Sequence, residues 1–107
     1  MSTSGDIILA TVPRFQAALE KAVEEAERTE GSDCVLVVDL RDTEFMDSTG
    51  LAALIGSAKG LQERGGEIRL VSPSGPVMRM LEATGTSDAF RIYPNVLLAT
   101  EGLQNGT

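Results

Sequence analysis

The chain has no histidine and no tryptophan, and only one cysteine, one tyrosine and three phenylalanines in 107 residues. Without imidazole it cannot assemble Ser-His-Asp or Cys-His catalysis, nor any histidine-ligated metal site. A lone cysteine, Cys34, excludes an internal disulfide and a cysteine-rich zinc site, and fits a reducing compartment. Cations are scarce too: 9 Lys+Arg against 16 Asp+Glu give a formal net charge of −7. Nucleic-acid binding needs clustered cations to displace counterions from phosphates, and no such cluster is present. No apolar run approaches the ~20 residues of a membrane helix. The stretch Ile7–Ala10 is too short for a signal peptide, and no basic residue precedes Arg14. These absences predict a cytoplasmic protein that binds no nucleic acid, inserts into no membrane and needs neither metal nor cofactor.

What is present is ordinary globular material, 42% hydrophobic and 23% charged, in a length that supports one core. We read residues 1–107 as a single domain with an ordered core over about 5–103 and flexible tails at Met1–Ser4 and Gln104–Thr107. Phe15, Leu19, Ala22, Val23 and Ala26 share one helical face, with Thr11 as the expected cap and Pro13 in the first turn. Glu20, Glu24, Glu25 and Glu27 make its solvated side. After the break at Gly31-Ser32-Asp33, Cys34–Leu40 is a continuous β-branched run, the pattern of a strand buried on both faces. A second helix is predicted over about Thr49–Arg64, with Leu51, Leu54, Ile55, Ala58 and Leu61 inward and Gly65-Gly66 as its stop. Ile68–Val71 reads as a strand. Then comes a helix burying Val77, Met80 and Leu81 and stopped at Gly85, a strand over Phe90–Tyr93, and a short helix capped by Asn95. This alternation predicts βαβ units and a mainly parallel sheet.

In such sheets ligands and modifications gather where strands end and helices begin. The informative segment is Asp39–Gly50, and three readings fit it. Asp47, Ser48 and Thr49 are good helix caps, worth ~1 kcal/mol. Asp39, Asp42, Glu44 and Asp47 are carboxylates that could hold a hard cation for phosphotransfer. There is, however, no Walker-type glycine loop, and Lys59 lies ~16 Å along the helix from Ser48, too far to act as its base. Third, Ser48 at a helix N-terminus is a site where a phosphate is electrostatically tolerated.

The segment Phe45-Met46-Asp47-Ser48-Thr49-Gly50-Leu51, following an apolar strand ending in Asp39-Leu40, resembles the signature of bacterial STAS-domain anti-sigma factor antagonists. The likeness continues through Gly56, through Gly65-Gly66-Glu67-Ile68-Arg69-Leu70-Val71-Ser72-Pro73 and through Leu81-Glu82-Ala83-Thr84-Gly85. It reaches back to Gly5-Asp6 and spans about residues 5–100. It implies an α/β fold, a STAS-like βαβ superhelix, that binds an anti-sigma factor with serine kinase activity and catalyses nothing itself. It places the phosphoacceptor at Ser48, with Thr49 secondary, and the partner contacts at Asp6, Met46, Asp47, Ser48, Thr49, Gly50 and Leu51. By the same resemblance the unphosphorylated form captures the anti-sigma factor, ATP-dependent phosphorylation ends the capture, and a PP2C-type phosphatase restores it.

Two departures stand out. The family's usual Gly-Glu-Leu-Asp reads Gly5-Asp6-Ile7-Ile8, so the second acidic position is apolar. Only four residues precede Gly5, so the usual N-terminal strand is expected to be lacking and the next reduced to about Asp6–Leu9. An unpaired apolar edge there would favour a homodimer through the N-terminal edge. The alternative function is a noncatalytic STAS module serving a transporter or a larger signalling assembly.

Overall fold

A computed structural model of the chain describes residues 1–28 and 35–100. The break at Gly31-Ser32-Asp33, Cys34 and the C-terminal tail lie outside the described residues.

Four strands, β1 (Ser2–Ser4), β2 (Val35–Asp42), β3 (Glu67–Val71) and β4 (Arg91–Tyr93), pair in the order β1-β2-β3-β4, every pair parallel. Each step to the next strand passes through a helix: α1 (Val12–Arg28), α2 (Ser48–Gln62) and α3 (Gly75–Ala83), with a short α4 (Val96–Thr100) after β4. The α/β class and the parallel sheet expected from the alternating periods are therefore what the chain adopts. Parallel neighbours need crossovers of this kind, because a strand end must return to the start of the sheet.

Period sets the core. Phe15 and Leu19 of α1, Leu51, Leu54, Ala58 and Leu61 of α2, and Leu36, Val38, Leu40, Ile68 and Leu70 of the sheet join one buried cluster. Ala22, Val23 and Ile55 pack at its margin. The C-terminus of α2 closes as the glycine pair predicts: Gly65 takes φ 79°, and the Gly66 N–H reaches back to the Leu61 carbonyl at 2.8 Å.

Strand β2 departs from the doubly buried pattern. Its other face carries half-buried Val35 and Val37 and a buried Asp39, whose carboxylate is gripped by the Arg41 guanidinium at 2.7–3.0 Å. That pairing holds Asp39 below the usual carboxylate range, against the opposing effect of burial. On this side α4 docks through fully buried Ala99, and its carbonyl accepts from Arg69 Nη1 at 2.9 Å.

The N-terminus corrects the sequence reading most. Met1–Ser4, expected as a flexible tail, forms β1 and its approach: the Met1 ammonium donates to the Val37 carbonyl and the Asp39 N–H to the Met1 carbonyl. The Thr3 hydroxyl bonds to that of buried Thr43. Asp6–Leu9, expected as the strand, makes only an isolated bridge between Ile7 and Met46. Gly5, at φ 77°, swings the chain out of the strand. The Ile7, Ile8 and Leu9 amides all bond within the chain, to the Phe45 carbonyl, Thr11 Oγ1 and Asp47 Oδ2. The apolar edge on which a homodimer was expected is thus satisfied internally, and the outer edge of the sheet is the three-residue β1 instead.

Candidate functional site

Three connections meet at the carboxyl end of the sheet. The stretch after β1 runs beside the stretch after β2: Ile7 N–H donates to the Phe45 carbonyl and Asp47 N–H to the Ile7 carbonyl, each at 2.9 Å. The connection after β3 is tied in through Ser74 Oγ, which donates to the Glu44 carbonyl at 2.8 Å. Gly50 makes this closeness feasible. A Cβ there would stand 2.6 Å from Ile7 Cγ2 and 2.8 Å from Met46 Cγ.

Asp47 organises the site. Its extended backbone (φ −92°, ψ −176°) turns the chain into α2, and its carboxylate accepts from the N–H groups of Thr49 at 2.9 Å and Gly50 at 3.2 Å. It also accepts from the Thr49 hydroxyl and, across the site, from the Leu9 N–H at 3.0 Å. The Thr49 hydroxyl chiefly holds Asp47 below the usual carboxylate range. The Gly50, Leu9 and Thr49 amides assist, and partial desolvation opposes. The capping expectation at Asp47 is met. Thr11 differs: its hydroxyl accepts from Ile8 N–H and closes the turn before α1 rather than capping the helix.

Ser48 follows Asp47 as the first residue of α2 and is exposed. Among the described residues no hydrogen bond engages its hydroxyl. Asp6 is exposed on the neighbouring stretch, and Asp47 and Thr49 are half-buried. The remaining three expected contact residues lie inside: Met46 and Leu51 are core side chains, and Gly50 is buried under Ile7. They shape the site from beneath. The four carboxylates of the cation reading are not gathered. Asp39 is committed to Arg41 and Asp47 to the helix start, and among the described residues no three His, Cys, Asp or Glu side chains converge. Among the described residues, likewise, no helix is long and apolar enough to cross a membrane.

Two surface residues escaped the sequence reading. Leu9 is 70% exposed and Phe45 46% exposed, Leu9 although it closes the apolar run Ile7-Ile8-Leu9. The spacing of Ile8 and Thr11 was the available signal, since a threonine three residues on commonly closes a turn.

A small parallel α/β domain that presents a serine hydroxyl on a capped helix start belongs to a recognisable class. The STAS domain family model matches residues 1–99. An anti-sigma-B factor antagonist of Listeria monocytogenes is 38% identical over 103 residues, covering 96% of this chain and 81% of that relative. Another from Bacillus subtilis is 33% identical over 92 residues, covering 86% and 78%. Among solved structures, an anti-sigma factor antagonist from Mycobacterium paratuberculosis superposes with a TM-score of 0.79 at 27% identity, over 97% of this chain and 83% of that one. The chain belongs to the STAS domain family, alongside its anti-sigma factor antagonists.

Proposed function

We propose that this domain is an anti-sigma factor antagonist. Its unphosphorylated surface around Ser48 captures an anti-sigma factor, and phosphorylation of Ser48 by that factor's serine kinase activity ends the capture. One observation carries this reading: the Ser48 hydroxyl is exposed and unengaged among the described residues, because Asp47 performs the capping that a serine at a helix start would otherwise perform. The names of the relatives support the partner class.

The chemistry belongs to the partner. Ser48 Oγ attacks the γ-phosphorus of kinase-bound ATP, the new O–P bond forms as the β–γ bridge breaks, and ADP leaves with the bonding pair. The hydroxyl proton passes to a base of the kinase. The product carries close to two negative charges, and burying them under a partner is costly. Thr49 is a poorer acceptor, since its hydroxyl must first release Asp47. A PP2C-type phosphatase would restore the free hydroxyl. In this reading the domain, residues 1–107, is cytoplasmic, noncatalytic and without cofactor, and Asp6, Asp47, Ser48 and Thr49 supply its polar contacts.

Incubation with the cognate anti-sigma kinase and Mg-ATP, followed by phosphopeptide mapping, tests this directly. The expected result is phosphate on Ser48, loss of binding on phosphorylation, and a Ser48→Ala variant that binds but takes up none. Phosphate mainly on Thr86 or Ser87, or undiminished binding by the phosphorylated form, would overturn it.

A further inference from the structure

Resting on the anti-sigma reading, we propose that Leu9 and Phe45 form an apolar contact beside Ser48 that the anti-sigma factor covers with an apolar recess bordered by basic side chains. The two residues stand on adjoining connections that backbone pairing holds side by side: Ile7 N–H to Phe45 carbonyl, Asp47 N–H to Ile7 carbonyl, and Leu9 N–H to Asp47 Oδ2.

Leu9 is held out rather than left loose. It sits in a turn in which Thr11 and Val12 N–H groups donate to the Ile8 carbonyl, Ile8 N–H donates to Thr11 Oγ1, and its own N–H is held by Asp47. A preordered apolar side chain loses little conformational freedom when a partner covers it, so its burial passes into affinity with small loss. Exposed Asp6, Asp42 and Glu44 lie on the same two stretches. The nearest cation along them, Arg41, is already spent on Asp39. A dry centre with an acidic border is complementary to a basic-rimmed apolar recess. It also accounts for the switch: a phosphate added at Ser48 enters the zone that must lose water.

The test is titration of the cognate anti-sigma factor against unphosphorylated full chain, with Leu9→Ser, Phe45→Ser and, as control, Leu97→Ser on α4, where Leu97 is 78% exposed. Leu9→Ser and Phe45→Ser should each raise Kd ~10-fold, mainly through faster dissociation, while Leu97→Ser leaves it unchanged. Circular dichroism checks the fold, and Leu9→Ser alone suffices if Phe45→Ser unfolds. Unchanged Kd for Leu9→Ser, or an equal rise for Leu97→Ser, overturns the contact while leaving the anti-sigma reading intact. A second copy held through Leu9, seen by light scattering, overturns the contact alone; if the wild-type chain binds no anti-sigma factor, both fall.

Discussion

Two helix starts in this domain use serine in opposite ways. At α3 the cap is Ser74 itself: its Oγ accepts from Val77 N–H at 3.3 Å and donates to the Glu44 carbonyl at 2.8 Å. At α2 the cap is the carboxylate of Asp47, and Ser48 stands one position later with its side chain outward. A capping hydroxyl is consumed by the fold, so modifying it means giving up a structural bond. A hydroxyl next to a capping carboxylate is freed by the fold. The same residue type is scaffold in one place and presented group in the other.

The largest expected difference is in phosphate uptake. With the cognate kinase, Ser48→Ala should reduce incorporation to background and Ser74→Ala should leave it unchanged, as read by radiolabel or intact mass. Comparable losses in both would erase the distinction. Gly50→Ala comes next. Its Cβ would press on buried Ile7 and Met46 and stand 3.2 Å from the Ile7 carbonyl oxygen, so the stretch carrying Leu9 must move. Denaturant melts should show a loss of about 1–3 kcal/mol, with weaker partner binding.

The stability contrast is smaller and runs the other way from the phosphate contrast. Ser74→Ala removes a cap and should cost about 1 kcal/mol. Ser48→Ala removes a solvated hydroxyl and should stay within about 0.5 kcal/mol of wild type. Chemical denaturation of both variants side by side sharpens or breaks the assignment of roles. The smallest effect is with pH. The folded-state pKa of Asp47 is depressed, so its contribution is present above the ordinary carboxylate value of ~3.9 and is lost as pH falls through the lower folded value. The Leu9 amide resonance should therefore shift only in that acidic range. A titration centred at or above the ordinary value would remove the clamp between Asp47 and Leu9.

Much of this was legible in the chain. Phe15 and Leu19 face inward as their spacing predicts. Gly85 ends α3 with φ 70°, and Asn95 caps α4 by accepting from Leu98 N–H at 2.8 Å. The placement of Ser48 at the head of α2 was readable too, because capping chemistry is local. The failures cluster at the N-terminus for one physical reason. Ser2–Ser4 has no strand composition, yet it is a strand, because β2 offers a row of backbone partners. Ile7–Leu9 has strand composition, yet it turns, because Gly5 and Thr11 redirect it.

The sequence by itself determined the alternation of helices and strands, the faces that make the core and the position of Ser48 at the head of α2. All of these follow from periodicity and capping within a few residues. Only the tertiary structure decided which surfaces stay wet. Met46 and Leu51 flank the motif closely, yet they are buried. Leu9 remains in solvent because its amide is held by a carboxylate 38 residues further along the chain. Exposure depends on which distant segments arrive at a place, and a local pattern carries no record of them.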